Sequence, residues 1–341
     1  MNSERTVAVL GAGGWGTALA LHLARVGHDV RLWARDPALA REMSTRRTNA
    51  VYLPDITLPE NITVTNAIDD ALDRRDLVIS AIPSHGCRSV IRSAAPSLAP
   101  HAVIVSATKG LEGETLLRMS EVIAEEVGIT HAVVVLSGPS FAAEVAQQLP
   151  TAVLAASSAA DAIELVQNEF RGPYFRLYGS DDVAGVEIGG ALKNIIAIAA
   201  GVVEGLGLGH NALAALITRG LAEMTRVACA AGGRRETLAG LSGLGDLVLT
   251  CTGTLSRNRH VGLELARGRR LPEILAGMKM VAEGVRTTGA ALALGARYGI
   301  ELPIATQMDD VLAGRTDVRS AITALMLRPQ RAEAEADTRI G

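Results

Sequence analysis

The feature that most constrains this chain is the glycine spacing near its start, Gly11-Ala-Gly-Gly-Trp-Gly16. It directly follows the apolar run at residues 7–10 and precedes a helix-forming stretch at residues 17–25. In that context the first glycine permits a tight turn, the second lets the backbone approach a pyrophosphate, and the third lets the helix pack on the strand. The spacing therefore predicts a dinucleotide-binding turn built on Gly11, Gly13 and Gly16, with a plain loop as the alternative.

Short β-branched runs alternate with Ala- and Leu-rich stretches through the first half of the chain, which is the pattern of βαβ units in a parallel sheet. From about Asp181 onward the β-rich runs stop and patterns of helical period dominate. We expect an α/β protein with an N-terminal Rossmann-type doubly wound sheet followed by an all-helical C-terminal domain. The expected parts are a dinucleotide-binding domain at 1–185, a helical substrate and catalytic domain at 186–327, and a disordered tail at 328–341. The predicted strands are residues 7–10, 29–33, 77–82, 103–107, 133–136, 152–155 and 175–178.

Composition excludes several classes of protein. The formal net charge is −3 and 20% of the residues are charged, so no basic surface indicates a nucleic-acid partner. No apolar run is long and unbroken enough to span a bilayer, and the N-terminus lacks the layout of a secretory signal, so we expect a cytoplasmic protein without integral membrane contact. Cys87, Cys229 and Cys251 lack paired or metal-ligand spacing, and histidines such as His85 and His210 stand alone. We therefore expect reduced thiols and no metal site.

The end of the second predicted strand bears on the choice of dinucleotide. An NAD-selective site places an acidic residue there, about 20 positions past the glycines, to hold the ribose hydroxyls. Here the sequence reads Ala34-Arg35-Asp36, which offers a guanidinium to a 2′-phosphate and a carboxylate to a ribose hydroxyl. We expect NADP(H) to be accepted, and NAD(H) as well. The alternative is that both are ordinary loop charges.

Lysine is scarce: of 33 basic residues only Lys109, Lys193 and Lys279 are lysines. Arginine cannot replace lysine where a proton must be released near neutral pH, because a guanidinium stays charged whereas a desolvated ammonium can lose its proton. Lys109 follows a predicted strand at the edge where open α/β sheets bind ligands. Lys193 shares a predicted helix face with Gly189 and Gly190, which a ligand can approach, so it is the candidate acid–base group. The alternative for each lysine is a surface position.

Three polar segments are candidate contacts for a substrate or an anion. Ser140 follows a predicted strand and can contact a ligand or cap the next helix. Asp246 is enclosed by apolar residues and glycines, so it needs a partner; Lys193 is one candidate, and a helix N-terminus is the other. The run Ser256-Arg-Asn-Arg259 places a hydroxyl, amide groups and guanidinium at a predicted helix start, which suits a phosphate or a solvated cap.

Seven motifs stand out along the chain: Gly11-Ala-Gly-Gly-Trp-Gly-Thr-Ala18, Ala107-Thr-Lys-Gly-Leu111, Ser137-Gly-Pro-Ser-Phe-Ala142, Gly190-Ala-Leu-Lys-Asn-Ile195, Leu216-Ile-Thr-Arg-Gly-Leu221, Gly245-Asp-Leu-Val-Leu-Thr-Cys-Thr252 and Ser256-Arg-Asn-Arg259. Taken together, they resemble the bacterial and plastid-type NAD(P)-dependent glycerol-3-phosphate dehydrogenases. The resemblance runs through almost the whole chain. Sister dehydrogenases share the glycine turn and a helical lysine, but not the Ser-Arg-Asn segment with the Gly-Asp-Leu run. Two departures are Gly14, where many members carry serine, and Met280-Val-Ala-Glu283, where two β-branched residues often precede the glutamate.

The resemblance implies reversible reduction of dihydroxyacetone phosphate to sn-glycerol 3-phosphate, a precursor of glycerophospholipids, with hydride from NAD(P)H. It implies that Lys193 is the catalytic acid, that Asp246 holds it, and that Arg257 and Asn258 bind the phosphate. With the turn glycines, the cofactor-binding residues would be Gly11, Gly13, Gly14, Trp15, Gly16, Arg35, Lys109, Ala142, Arg257, Val281 and Glu283. The substrate-binding residues would be Lys109, Gly138, Ser140, Lys193, Asp246, Ser256, Arg257 and Asn258.

Two other functions fit the same turn. One is a related reductase that acts on a hydroxy acid or a keto acid, and the other is a non-catalytic sensor of NADP(H). The two lysines and the phosphate-suited Ser256-Arg-Asn258 favour an enzyme for a phosphorylated ketone. We also expect a homodimer formed through the helical half.

Overall fold

The computed structural model describes residues 5–278, 280, 282–330 and 332–333, and the structural statements below refer to these residues. The first part of the chain alternates strands and helices. Its strands are β1 (Thr6–Leu10), β2 (Asp29–Trp33), β3 (Thr48–Asn49), β4 (Leu53–Thr57), β5 (Ile62–Thr65), β6 (Leu77–Ser80), β7 (Val103–Ser106), β8 (Val133–Ser137), β9 (Thr151–Ala156) and β10 (Phe175–Ser180). Its helices are α1 (Gly14–Arg25), α2 (Pro37–Arg46), α3 (Ile68–Leu72), α4 (Ser84–Ala94), α5 (Met119–Val127), α6 (Ala142–Ala146) and α7 (Ala160–Glu169).

Eight strands form one sheet in the order β10-β9-β8-β7-β6-β1-β2-β5, and β3 pairs with β4 separately. Both faces of the sheet are covered. In β1, Val7 and Val9 lie in the core on one face, and Ala8 and Leu10 lie in the core on the other. Strands buried on both faces are apolar at successive positions, which is why these runs stand out in the sequence. The α/β class with a doubly wound sheet is confirmed.

The expectation of a wholly parallel sheet is wrong at one place, because β8 and β9 pair antiparallel while β9 and β10 pair in parallel. The connection from β8 to β9 contains only the five-residue helix α6. A helix of that length spans about 7.5 Å, less than half of a strand, so this connection lacks the long crossover helix that usually returns the chain to the starting edge of the sheet. The chain therefore re-enters the sheet from the edge where β8 ends.

The second part of the chain is helical, as expected. It contains α8 (Val183–Gly205), α9 (Gly209–Ala230), α10 (Arg235–Ala239), a π-helical turn (Leu241–Gly245), α11 (Asp246–Thr252), α12 (Arg257–Ala266), α13 (Leu271–Ala276), α14 (Glu283–Tyr298), α15 (Pro303–Leu312) and α16 (Val318–Met326). Among the described residues, α8 is long and apolar enough to cross a membrane by composition, but its apolar stretch is entirely buried inside the protein. It is the central helix of the second core.

Several predicted boundaries differ from the observed ones. The first helix begins at Gly14, three residues before its predicted start. The edge strand β5 was not predicted, because its residues alternate between apolar and polar and form no apolar run. The expected boundary between the two domains, at residue 185, falls in the first turn of α8, and α8 begins three residues after β10 ends. The domain boundary remains a prediction.

Candidate active site

The glycine turn joins β1 to α1. Gly11 has a φ of +112°, and a Cβ there would lie 2.8 Å from the Ala81 carbonyl oxygen. A Cβ on Gly16 would lie 1.8 Å from the Gly11 carbonyl oxygen, whereas a Cβ on Gly13 would meet none of the described atoms within 4 Å. No side chain of the described residues caps α1, so its first N–H groups are available to an anion. The turn therefore fits a pyrophosphate at its open side.

One other residue expected at the dinucleotide, Ala142, lies beside this turn. A Cβ on Gly14 would lie 3.8 Å from the Ala142 Cβ and 3.9 Å from the Met280 Sδ, so both segments reach the start of α1. The indole N–H of Trp15 is buried and has no hydrogen-bond partner within the described part of the chain. Val281 lies outside the described residues.

The cleft beside the end of β2 is cationic. Asp36 caps α2 by accepting a hydrogen bond from the Ala38 N–H at 2.8 Å, so its carboxylate is already engaged. Arg35 is exposed. Desolvation lowers the pKa of His85, and the positive charges of Arg286 and Arg35 lower it further against the opposing effect of Glu283. An anion would be stabilised in this cleft.

Lys193, Asp246 and Lys109 form a buried charge cluster where α8, α11 and the loop after β7 meet. The Lys193 Nζ donates to Asp246 Oδ1 at 2.8 Å and to Thr250 Oγ1 at 2.6 Å. The Lys109 Nζ donates to the other carboxylate oxygen, Oδ2, at 2.6 Å and to the Gly138 carbonyl oxygen at 3.1 Å. One carboxylate thus holds two ammonium groups that come from different parts of the chain.

Burial and charge together set the proton affinities in this cluster. Desolvation, opposed by Asp246 and reinforced by Lys109, lowers the pKa of Lys193 to about 8. Burial alone would raise the pKa of Asp246, but the two lysines outweigh it, and that pKa lies below its usual range. Asp246 is therefore a fixed anion, while Lys193 can exchange a proton near neutral pH.

The glycines beside Lys193 do not form an open face, which corrects the expectation that a ligand approaches the lysine there. A Cβ on Gly189 would lie 2.8 Å from the Ser242 carbonyl oxygen, and one on Gly190 would lie 2.8 Å from Ser137 Oγ. The small residues instead allow the π-helical turn and β8 to lie directly against α8.

Ser140 and Gly138 lie at the end of β8, next to Lys109. The Ser140 hydroxyl donates to the Gly138 carbonyl oxygen at 3.0 Å. The helix-cap alternative for Ser140 is wrong, because α6 starts later and Phe141 is its N-cap residue. The hydroxyl oxygen of Ser140 can still accept a hydrogen bond from a ligand.

The start of α12 contains the residues expected at a phosphate. Ser256 is buried and caps the helix by accepting from the Arg259 N–H at 3.2 Å, and Arg257 is exposed in the first turn. Asn258 is buried; its amide donates to Asn194 Oδ1 at 2.9 Å. Its carbonyl oxygen accepts from the backbone N–H of Gly284 at 2.9 Å. Asn258 therefore links three helices, which the sequence did not indicate.

Two further contacts were not anticipated. Thr250 lies four residues after Asp246 in α11, a spacing that places both on one helix face and could have indicated its contact with Lys193. The carboxylate of Glu283, expected at the dinucleotide, accepts from the Ser84 N–H at 3.3 Å and from the Ser84 hydroxyl at 2.7 Å. No short-range pattern predicts that second contact.

The geometry combines a dinucleotide-type turn with a buried lysine of lowered pKa and a basic helix start. Among the described residues, no group of three or more metal-ligating side chains lies together. Hydride transfer with proton exchange at a nearby carbonyl oxygen is chemistry that this arrangement can support.

Comparison with known proteins agrees with the geometry. Models of the N-terminus and of the C-terminus of NAD-dependent glycerol-3-phosphate dehydrogenase match residues 6–163 and 182–323. The chain is 55% identical over 271 residues to the glycerol-3-phosphate dehydrogenase (NAD(P)+) of Koribacter versatilis, covering 79% of this chain and 80% of that one. The chain belongs to this family of dehydrogenases.

Solved structures of other proteins separate the family from its wider fold. The glycerol-3-phosphate dehydrogenase of Coxiella burnetii superposes with a TM-score of 0.92 at 42% identity, over 95% of this chain and 99% of that one. A ketopantoate reductase of Ralstonia eutropha superposes with a TM-score of 0.59 at 18% identity, over 94% of this chain and 99% of that one. The second likeness shows a shared fold alone.

Proposed function

We propose that this protein interconverts dihydroxyacetone phosphate and sn-glycerol 3-phosphate with NADP(H) or NAD(H), as a supply of glycerol 3-phosphate for glycerophospholipids. The observation that carries the proposal is the buried Lys193–Asp246–Lys109 cluster, which lies at the edge of the sheet where the dinucleotide turn opens. Family membership supports the substrate, since the relatives are named for it.

The bound dinucleotide supplies the hydride, and the residues of this chain supply the proton and the orientation. Lys193 protonates the oxygen at C2 of the ketone, and in the reverse direction its neutral amine accepts that proton. Asp246 keeps the lysine in place, and Lys109 keeps Asp246 ionised. Water is restricted at the acid because the Lys193 side chain is only 8% exposed.

The substrate phosphate binds at the start of α12, where Arg257 supplies a positive charge and the helix dipole adds to it. Binding energy gained at the phosphate then aligns the ketone with the acid. Because Asn258 is engaged with Asn194 and Gly284, we assign it chiefly to fixing that helix start, with its remaining amide hydrogen available to the phosphate. Ser140, Gly138 and Ser256 complete the substrate pocket.

Gly11, Gly13, Gly14 and Gly16 would hold the dinucleotide, and the other described residues expected to contact it are Trp15, Arg35, Lys109, Ala142, Arg257 and Glu283. Arg35 binds the 2′-phosphate of NADP(H), because its neighbour Asp36 is engaged as a helix cap and Arg35 itself is exposed. We further propose that the protein works in the cytoplasm as a homodimer formed through its helical half.

The deciding experiment is oxidation of NADPH by the purified protein with dihydroxyacetone phosphate as the acceptor. We expect steady turnover, and turnover with NADH in a parallel assay. A hydroxy- or keto-acid reductase would prefer an unphosphorylated ketone such as ketopantoate, and a sensor would bind NADPH without turnover. Either result would contradict the proposal.

A further inference from the structure

Ser84 makes a contact between the two parts of the chain that the proposed chemistry does not use. It is the first residue of α4 and is buried at the carboxyl edge of the sheet. Its N–H and its hydroxyl both donate to the carboxylate of Glu283, at 3.3 and 2.7 Å. Glu283 is the first residue of α14, in the helical part. This carboxylate therefore caps α4 from the other part of the chain, at a helix end where negative charge is favoured.

The Ser84–Glu283 pair lies against the loop that carries Lys109. Gly110 has a φ of +143°, and a Cβ there would lie 2.8 Å from the Ser84 Cβ and 3.7 Å from Glu283 Oε2. The residue that follows Lys109 thus rests on both members of the pair. A displacement of either member would move the backbone from which Lys109 reaches Asp246.

A second line of contacts runs from the start of α14 to the helix of the candidate acid. The Gly284 N–H donates to Asn258 Oδ1, and the Asn258 amide donates to Asn194 Oδ1, both at 2.9 Å. Asn194 directly follows Lys193 in α8. A Cβ on Gly284 would lie 2.6 Å from the Asn194 carbonyl oxygen, so α14 and α8 are in direct contact. The start of α14 is therefore fixed to α8 on one side and to α4 on the other.

We propose that Ser84 is a positioning residue. Through Glu283 it holds the loop that carries Lys109 close enough to α8 for the Lys109 ammonium to reach Asp246. The two parts are also joined where the carboxylate of Glu187 in α8 accepts from the Ser120 N–H of α5. At the Lys109 loop the joining contacts are Ser84 with Glu283 and Lys109 with Asp246. Loss of the first contact lets Lys109 turn away from the second. This inference rests on the proposed function for its kinetic consequence, but its structural consequence can be measured without turnover.

The kinetic consequence follows from the titratable groups around Lys193, which are Asp246, Lys109 and Cys251. Burial raises the pKa of the Cys251 thiol to about 12, so the charges there near pH 8 are those of Asp246 and Lys109. Desolvation and the charge of Lys109 lower the pKa of Lys193, whereas Asp246 raises it. When Lys109 turns away, its repulsion is lost and Asp246 pairs with Lys193 alone. The pKa of Lys193 then rises, and the fall of ketone reduction at alkaline pH moves to higher pH.

The structural test uses the scarcity of lysine, since the chain has only three. The full-length Ser84→Ala variant is treated with an amine-reactive acetylating reagent, and labelling of each lysine is followed by peptide mass spectrometry. We expect Lys109 to be labelled faster than in the unmodified protein, while buried Lys193 stays slow. The matched control is Ser93→Ala in the same helix, whose exposed hydroxyl donates to the Ser89 carbonyl oxygen at 3.0 Å.

The kinetic test measures NADPH oxidation across pH for the same variants. For Ser84→Ala we expect a kcat about 10-fold lower, which is the factor for one charge-assisted hydrogen bond. The fall of kcat at alkaline pH should move to higher pH, and the KM for NADPH should be nearly unchanged. Ser93→Ala should match the unmodified protein. If Ser84→Ala does not fold, Ser84→Cys replaces it, because the thiol fills a similar space and is a weaker hydrogen-bond donor than the hydroxyl.

Unchanged labelling of Lys109 overturns the proposal whatever the activity. An unshifted pH profile beside a lower melting temperature also overturns it, because Ser84 would then be only a stabilising helix contact. Failure of the proposed function looks different: the unmodified protein would not oxidise NADPH with dihydroxyacetone phosphate, while the labelling result would still decide the role of Ser84.

Discussion

Replacing Lys193 by methionine removes the ammonium and keeps an unbranched apolar stem in the same buried position. Removing one partner of a buried ion pair usually costs about 3–5 kcal/mol of stability, because the other charge is left alone. Here Asp246 keeps a second ammonium, that of Lys109 at 2.6 Å, so we expect a smaller loss and a folded protein. The effect should therefore appear in the chemistry rather than in folding.

A general acid contributes about 10² to 10⁴ to kcat, which corresponds to about 3–5 kcal/mol of activation free energy. We expect Lys193→Met to lose that factor in NADPH oxidation with dihydroxyacetone phosphate while binding NADPH normally in a fluorescence titration. Lys193→Arg is the matched control, because it keeps the charge but cannot release a proton near neutral pH. Turnover of either variant within a few-fold of the unmodified protein would refute the assignment of Lys193.

Four further outcomes follow from the geometry. The pKa of Lys193 is lowered to about 8. Ketone reduction needs the ammonium, so its rate should fall as pH rises through that value, whereas alcohol oxidation needs the amine and its rate should rise. Rates that do not depend on pH would contradict this. Arg35→Ala should raise the KM for NADPH by about 10-fold or more and leave that for NADH unchanged, because one charge-assisted contact is lost. Arg257→Ala should raise the KM for dihydroxyacetone phosphate with little effect on NADPH binding, as measured by titration. Gly16→Ala should prevent stable folding, because its Cβ would lie 1.8 Å from a backbone oxygen. The Cβ of Gly13→Ala would meet none of the described atoms within 4 Å, so this variant should keep the melting temperature of the unmodified protein and bind NADPH more weakly.

The central strands of the sheet could be predicted because strands buried on both faces are apolar at successive positions, whereas the edge strand β5 could not. The reversed direction of β9 could not, because it follows from the shortness of α6, and helix ends are poorly marked in the sequence. The face of α8 beside Lys193 was interpreted wrongly for a related reason. Small residues allow close approach by a ligand or by the protein itself, and only the packing of β8 and the π-helical turn decided between the two.

The sequence by itself determined the glycine turn and singled out the two lysines. Both signals are local: the turn shows in the spacing of its glycines, which includes the close approach of Gly16 to Gly11, and lysine can release a proton near neutral pH whereas arginine cannot. What only the tertiary structure decided is how those lysines are held. Lys109 and Asp246 are separated by 137 residues, and Ser84 and Glu283 by 199. Such pairs form only when the sheet and the helical part are packed together, because burial and a distant partner jointly set the charge state of each group.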